Sequence, residues 1–330
     1  MALHRPPATN PAPDPGHLGI SGFMAIRDGL RLGYPFPEAI RAALPAVDEF
    51  VVVDGHSSDG TFEQLGRLAA AEPKLRLSQH RWDAVSVNGS AIRNALEQAR
   101  SLARGEYIWQ VDANEILPPE DIEPLRMLGA SYPGKELFGL PYVQLLGSIE
   151  FTSEVRWRFA RNLPTIHPLY DGWTLGYRLG MRDLSRPREL KRLLKRASVR
   201  VAQDRVATDL PEQIVVLPRP LFRYYGLFPE PFLEKMAGKQ FFQQNPEYRR
   251  VAAGSPMAES LLATYRSTGD WDGFWDSVYD LHSRVLHDSP LNKEIRTRRK
   301  IPRDQHPAVI QPLLGLPNYP TSEPGDSRRP

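Results

Sequence analysis

Short apolar runs alternate with amphipathic segments along residues 19–117. The clearest run is 49–54, where three consecutive valines stand between polar ends, as in a strand that is covered on both faces. Segment 91–103 carries apolar residues at every third or fourth position, which is the spacing of one buried helix face. The pattern predicts strands at 20–26, 49–54, 75–78 and 106–111, and helices at 37–44, 61–71 and 91–103. Such alternation predicts an α/β fold, with a mostly parallel sheet between two layers of helices.

The later part of the chain is less regular, with two further predicted strands at 138–146 and 157–161. Proline is about twice its usual frequency. Five of the 32 prolines lie in residues 1–16 and seven lie in residues 302–330. We therefore expect flexible tails at 1–16 and 306–330, an α/β domain at 17–228 and a helical extension at 229–305.

The composition excludes several classes of protein. The 330 residues are 25% charged and 41% hydrophobic, an ordinary balance for a globular protein, and none of them is Cys. The absence of Cys excludes disulfides, thiolate zinc sites and cysteine nucleophiles. No apolar stretch is long enough for a signal peptide or a membrane span, so we expect a cytoplasmic protein.

The formal net charge of +3 hides one strongly basic segment. Residues 178–205 contain ten Lys or Arg and three acidic residues. One interpretation is an amphipathic helix that buries Leu190, Leu193 and Leu194 and leaves its basic residues in solvent. The other is a surface for phosphates or anionic lipid, which would place the protein at the inner face of the membrane. No nucleic-acid motif accompanies the segment, so no nucleic-acid partner is expected.

Acidic side chains follow two of the predicted strands. Asp54 ends the valine-rich strand and opens a turn that can cap the next helix. Asp112 follows the last strand of the alternating region, together with Asn114 and Glu115. Ligands of parallel sheets bind beyond the carboxyl ends of the strands, so both positions are candidate sites. The carboxylate and amide oxygens of Asp112, Asn114 and Glu115 are of the kind that Mn2+ or Mg2+ binds.

Four motifs occur in register along this region. They are Val53-Asp-Gly-His-Ser-Ser-Asp-Gly-Thr61, Arg93-Asn94, Gly105-Glu-Tyr-Ile108 and Asp112-Ala-Asn-Glu115. The series resembles family 2 glycosyltransferases of the GT-A fold, and the opening segment 21–28 is similar to a bacterial branch of that family. The resemblance covers residues 19–117 and fades afterwards. It implies a GT-A-like three-layer α/β/α domain that moves a sugar from a nucleoside diphosphate sugar to an acceptor.

The resemblance also implies roles for individual residues. Asp54 would contact the base or ribose of the nucleotide, Arg93 the base or the diphosphate, and Asp112 the ribose and the metal. The second acid of the family's metal motif is replaced here by Asn114, whose amide oxygen carries no charge. Mn2+ or Mg2+ would therefore bind more weakly, unless Glu115 compensates or the enzyme depends less on metal.

Two further roles concern the later strands. Several relatives carry His-Tyr-Gly where this chain has Tyr224-Tyr-Gly226, and the preceding Arg223 is a candidate for neutralising the diphosphate. Family members of this type invert the anomeric centre in one displacement, in which a carboxylate takes the acceptor proton. The candidate bases are Glu150, Glu154 and Asp171. Glu154 is the first choice because it precedes the basic sequence Arg156-Trp-Arg158.

Two alternative functions stay open. A nucleotidyltransferase would need a Gly-rich, basic loop after the first strand, which Arg27-Asp-Gly-Leu-Arg31 matches only faintly. A non-catalytic module that binds a nucleotide or a partner would explain Asn114 and the missing His. For the transferase, the resemblance implies a saccharide, lipid-linked or other acceptor, and the basic segment would shape the acceptor site or touch an anionic membrane surface.

Overall fold

The computed structural model describes residues 19–82, 90–178, 200–201, 206–207, 217–238, 255–287 and 298–320. The predicted tail 1–16 and nearly all of the basic segment 178–205 lie outside the described residues. The strands are β1 (Ile20–Ile26), β2 (Glu49–Asp54), β3 (Leu75–Gln79), β4 (Tyr107–Gln110), β5 (Glu115–Ile116), β6 (Leu137–Leu146), β7 (Ile149–Arg161), β8 (Ile166–Leu169), β9 (Thr174–Tyr177), β10 (Arg200–Val201), β11 (Val206–Ala207), β12 (Leu221–Gly226) and β13 (Arg299–Lys300). The helices are α1 (Phe36–Ala43), α2 (Thr61–Ala71), α3 (Ser90–Leu102), α4 (Ile122–Arg126), α5 (Leu128–Ser131), α6 (Pro229–Gly238), α7 (Pro256–Thr268) and α8 (Trp271–His287).

The first four strands form the parallel half of the main sheet, in the order β3-β2-β1-β4. Alternate residues of each strand face opposite sides, and both sides of β1, β2 and β4 are buried. In β2, Val51 and Val53 pack in one core with Leu96 of α3, whereas Phe50 and Val52 pack in the other core, which includes residues of α1 and α2. The predicted three-layer α/β architecture is therefore confirmed.

The sheet continues beyond β4 through β7, β6, β12 and β5, and β13 pairs with one end of β7. Strand β7 is antiparallel to β4 and β6, and β5 is antiparallel to β12. The other strands of this sheet all point in one direction. The prediction of a mostly parallel sheet is confirmed. The antiparallel strand β7 lies between β4 and β6 and contributes its own side chains to the sheet.

Helices α6, α7 and α8 cover the β6–β12 end of the sheet with aromatic side chains. Trp275 is completely buried and makes edge contacts with Phe232 and Phe274. The predicted helical extension thus contributes to the main core and does not form a separate unit. None of the described helices combines the length and the apolar character needed to cross a lipid bilayer.

The segment 298–320 packs on the domain, contrary to the expectation of a flexible tail from 306. His306 and Ile310 are buried, and the hydroxyl of Tyr319 donates to the Glu38 carboxylate of α1 at 3.1 Å. The prolines of this segment lie in or beside short turns between buried apolar residues. A high proline content therefore gave a wrong expectation for 306–320, and residues 321–330 lie outside the described residues.

Candidate active site

The strand order of the parallel half reverses direction beside β1. From β1 the chain moves outward to β2 and β3, then returns to form β4 on the opposite side of β1. In open α/β sheets the crevice at such a reversal, beyond the carboxyl ends of the strands, is where ligands bind. Asp112 lies two residues after β4 at this edge, and its side chain keeps 25% of its surface exposed.

Strand β7 supplies three charged side chains to the same region. Glu154, Arg156 and Arg158 occupy alternate positions, so they share one face of the strand, while Trp157 faces the core beside α3. Both arginines are buried. Buried guanidiniums require ionic or hydrogen-bonding partners, which the adjoining strands provide.

The neighbouring strands bring the partners by their register. Arg223 of β12 lies opposite Gln144 of β6 on one side and opposite Glu115 of β5 on the other. We refer to Arg156, Arg158 and Arg223 as the arginine cluster. It surrounds the carboxylates of Asp112 and Glu115, which are separated from it by 41 to 111 residues in the sequence.

Arg158 is the member of the arginine cluster most tightly bound to the acids. Its two terminal nitrogens donate to the two oxygens of Asp112 at 3.1 and 2.8 Å, and Nη2 also donates to Glu115 at 3.1 Å. Nη1 lies 3.3 Å from the carbonyl oxygen of Gly172, to which it also donates. The two-pronged contact fixes the orientation of the Asp112 carboxylate.

Arg156 is held from three sides. It donates through Nε to Glu154, and Nη1 lies 3.5 Å from a Glu115 oxygen and 3.8 Å from an Asp112 oxygen. The ring of Trp173, 40% exposed, covers the guanidinium at 3.5 Å. Nη2 has no hydrogen-bond partner among the described residues, although it is buried.

Arg223 is less closely paired than the other two. Its Nη1 donates to the neutral amide oxygen of Gln144 at 2.9 Å. Within the described part of the chain its shortest ion-pair distances are 3.7 Å to Asp112 and 3.6 Å to Glu115. It therefore has the greatest capacity in the arginine cluster to accept another anion.

The charges of the cluster act strongly on one another. Burial alone would raise the pKa of Asp112, but the charges of Arg158, Arg223 and Arg156 outweigh it and hold that pKa well below its usual range. Burial, assisted by repulsion from Arg223 and Arg158, lowers the pKa of Arg156 to about 10. Asp112 is therefore ionised, and Arg156 charged, at neutral pH.

Asn114 does not point its amide nitrogen toward these acids. The side chain is buried and donates through Nδ2 to the carbonyl oxygen of Tyr224 at 2.7 Å, while the Tyr224 amide donates to the Asn114 carbonyl at 2.9 Å. These two bonds join the loop after β4 to strand β12. Asn114 therefore holds these two backbone segments together.

Mn2+ or Mg2+ does not fit the predicted ligand set of Asp112, Asn114 and Glu115. Both carboxylates already bind Arg158, and a cation shared between them would stand beside three guanidiniums that repel it. In the described ranges, no group of three His, Cys, Asp or Glu side chains has the arrangement of a metal site.

The other two residues expected at the nucleotide, Asp54 and Arg93, have hydrogen-bond partners outside the arginine cluster. Asp54 is completely buried and accepts hydrogen bonds from the amide and hydroxyl of Ser57 and from Nε2 of Gln79. Arg93 of α3 donates to the carbonyl oxygen of Tyr170 at 3.4 Å. In this structure Asp54 stabilises the turn after β2, and Arg93 contacts the loop between β8 and β9.

The three candidate bases differ in position. Glu154 lies at the rim of the arginine cluster, where its Oε1 accepts from Arg156 and from Gln144. Asp171 is exposed in the β8–β9 loop, two residues before Trp173. Glu150 is buried near the start of β7 and accepts from the hydroxyl of Ser153 at 2.8 Å. The structure brings Glu154 to the arginine cluster and leaves Glu150 outside it.

The β8–β9 loop forms the cover of the site and was not predicted from the sequence. Tyr170 and Gly172 have φ angles of +57° and +87°, which turn the chain sharply and aim the Gly172 carbonyl at Arg158 and Gln110. Trp173 follows this turn and covers Arg156. The sequence does carry a signal for the site, because Glu154, Arg156 and Arg158 stand at alternate positions of β7.

No protein-family model and no curated protein matches the chain. Among solved structures, S. aureus TarS 1–349 in complex with UDP-GlcNAc is 13% identical over 83% of this chain and 82% of that one, with a TM-score of 0.40. The Pyrobaculum calidifontis mannosyltransferase PcManGT, in complex with GDP-Man and Mn2+, is 22% identical over 39% of this chain, with a TM-score of 0.31.

This chain spans 37% of that mannosyltransferase chain and 38% of a longer TarS chain. All of these TM-scores are below 0.5. The strand order and register of this chain itself define its fold.

Proposed function

We propose that the chain transfers a glycosyl group from a nucleoside diphosphate sugar to an acceptor at the edge of the sheet where β1 and β4 end. The observation that carries the proposal is the position of Asp112 and the arginine cluster at the reversal of strand order. The site combines fixed positive charge with two carboxylates, Asp112 and Glu154, whose side chains are 25% and 20% exposed. The order of the sequence motifs along β2, α3 and β4 supports the same reaction.

The reaction exchanges one C–O bond for another. An acceptor hydroxyl oxygen attacks the anomeric carbon, the bond from that carbon to the diphosphate breaks, and its electron pair leaves with the diphosphate. The arginine cluster would stabilise the charge that develops on this leaving group. A carboxylate would take the proton of the hydroxyl. One displacement of this kind inverts the anomeric centre.

Glu154 and Asp171 are the proposed proton acceptors. Oε1 of Glu154 already accepts two hydrogen bonds, which orient the carboxylate and leave Oε2 to take a proton. Asp171 lies on the loop that carries Trp173, so it would approach an acceptor from the opposite rim. Comparison of Glu154→Gln with Asp171→Asn separates the two roles: loss of turnover with retained donor binding identifies the base.

The proposal also includes the class of acceptor, the family and a contact with membrane. A saccharide or lipid-linked acceptor and a bacterial family 2 assignment follow from the resemblance of residues 19–117. The basic segment 178–205 would add a peripheral contact with anionic membrane at the cytoplasmic face. Binding of the chain to vesicles that contain anionic lipid, compared with neutral vesicles, tests this last point.

The decisive experiment is a screen of nucleoside diphosphate sugars for release of the nucleoside diphosphate. We expect turnover with one class of donor, and its loss in Asp112→Asn. Arg161→Gln is a matched control because Arg161 lies on β7 but forms an exposed ion pair with Glu106. Donor binding without turnover under every condition would favour the non-catalytic module. Absence of both binding and turnover would overturn the proposal.

A further inference from the structure

The arginine cluster is paired with the carboxylates of Asp112 and Glu115, which the proposed reaction alone does not require. Three guanidiniums lie within 3.8 Å of the two acids, Asp112 and Glu115, that would otherwise face a divalent cation. Arg158 takes the position of a cation most directly, since it binds both oxygens of Asp112 and one oxygen of Glu115. The carboxylates are therefore neutralised by side chains.

The other two arginines keep binding capacity. The Arg223 side chain is 11% exposed, donates to the neutral amide oxygen of Gln144 at 2.9 Å, and lies no closer than 3.6 Å to Asp112 or Glu115. Arg156 is buried, and its Nη2 has no hydrogen-bond partner within the described residues. A buried guanidinium N–H without a partner is costly, and a ligand oxygen would remove that cost.

Trp173 covers these groups on the side that faces solvent. Its ring lies 3.5 Å from the guanidinium carbon of Arg156 and 5.5 Å from that of Arg223, and 40% of the residue is exposed. The indole thus forms the boundary between the two guanidiniums and solvent. It leaves the charges of Arg156 and Arg223 shielded from water, where electrostatic attraction is strong.

We propose that the arginine cluster replaces the divalent cation: Arg158 holds Asp112 and Glu115, while Arg223 and Arg156 bind the diphosphate of the donor directly. This inference rests on the proposed function, because the ligand is a nucleoside diphosphate. Guanidiniums match the geometry of phosphate oxygens and can bind them in pairs. The donor therefore binds, and its diphosphate leaves, without Mn2+ or Mg2+.

The test is calorimetric binding of UDP, GDP, CDP and dTDP, and of the matching monophosphates, in EDTA and in Mn2+. We expect at least one diphosphate to bind with the same Kd, within about threefold, under both conditions. In EDTA, Arg223→Gln should weaken that diphosphate by about tenfold or more while its monophosphate changes little. Arg223→Lys, which keeps the charge, should lose less, and Arg161→Gln should bind like the original chain.

The outcomes distinguish this inference from the proposed function. Binding of a diphosphate only in Mn2+ would overturn the replacement of the metal and leave glycosyl transfer intact. An unchanged Kd in Arg223→Gln, in protein with unaltered thermal unfolding, would also overturn it. If Arg223→Gln fails to fold, Arg223→Lys in EDTA decides. No binding of any diphosphate under either condition would overturn both proposals.

Discussion

The side-chain amide of Asn114 donates a 2.7 Å hydrogen bond to the main-chain carbonyl of Tyr224. This bond fastens the loop after β4 to β12, so that Asp112 and Arg223, which lie on these two elements, keep a fixed separation. An amide is required here because a carboxylate has no N–H to donate to a carbonyl oxygen. The residue that departs from the expected acidic metal motif therefore has a structural reason to be Asn.

Asn114→Asp should destabilise the fold. The change places a buried carboxylate oxygen against the Tyr224 carbonyl, and we expect a loss of about 3 kcal/mol in the free energy of unfolding. Asn114→Ala, which removes the donor without adding charge, should lose about 1 to 2 kcal/mol. Urea denaturation in the presence and absence of Mn2+ measures both. A variant Asn114→Asp that Mn2+ stabilises would instead support the metal site expected from the sequence.

The ion pair between Arg158 and Asp112 should show strong coupling. Arg158→Gln leaves the buried Glu115 and the half-buried Asp112 without their main partner and should cost about 3 to 5 kcal/mol of stability. Adding Asp112→Asn should restore about 1 to 3 kcal/mol, because the uncompensated charge is removed.

The exposed pair Glu106–Arg161, at 2.9 Å, is the control for this double-mutant cycle. Its coupling should be about 0 to 1 kcal/mol in urea denaturation. Strictly additive effects at Arg158 and Asp112 would contradict the paired geometry of the arginine cluster.

His306 should make stability depend on pH. Its Nδ1 accepts from the Tyr224 hydroxyl at 2.8 Å, and its Nε2 donates to the Ile301 carbonyl at 3.2 Å, so the neutral ring is fully bonded. Burial, together with Arg303, lowers the pKa of His306 in the folded state below 6.5. The unfolded chain therefore takes up the proton first, and the contribution of His306, complete above pH 6.5, is lost as the pH falls toward the lowered pKa.

The measurement is the free energy of unfolding between pH 8 and pH 5 in the original chain and in His306→Gln. The original chain should lose up to about 1.4 kcal/mol more per pH unit within this window than the variant. Parallel curves for the two proteins would show that His306 does not titrate in this way.

Mutation of Asp54 distinguishes two roles, stabilisation of the turn after β2 and contact with the nucleotide. Its hydrogen bonds with Ser57 and Gln79 predict that Asp54→Asn costs about 1 to 3 kcal/mol of stability. The same geometry predicts a nucleotide affinity within about threefold of the original, measured on folded protein. A tenfold loss of nucleotide affinity with normal stability would instead favour the contact with base or ribose that the family resemblance implies.

The sequence predicted the first half of the fold closely because hydrophobic periodicity there agrees with burial. The predicted strands 20–26 and 49–54 match the observed ones, as does the helix 61–71. Strand β7 begins eight residues earlier than the predicted strand at 157, since polar residues such as Thr152 and Glu154 interrupt its apolar pattern. Periodicity locates a strand only where one face is consistently apolar.

The site was harder to predict than the fold. The sequence motifs predict Asp112, Glu115 and Arg223 as site residues, whereas Arg156 and Arg158 stand out in the sequence only as neighbours of Glu154. Their burial depends on carboxylates far away in the chain, which a local pattern cannot reveal. The same holds for Trp173, whose position over Arg156 follows from the turn at Gly172.

The hydrogen bond from Tyr319 to Glu38 joins residues that are 281 positions apart. At synthesis rates of about 5 to 20 residues per second, roughly 14 to 56 s pass between the emergence of α1 and that of its final partner. During this time the face of α1 that Tyr319 covers is open to other contacts. The nascent chain must therefore keep a partly built core without aggregating, and the domain reaches its complete fold only after translation has passed residue 319.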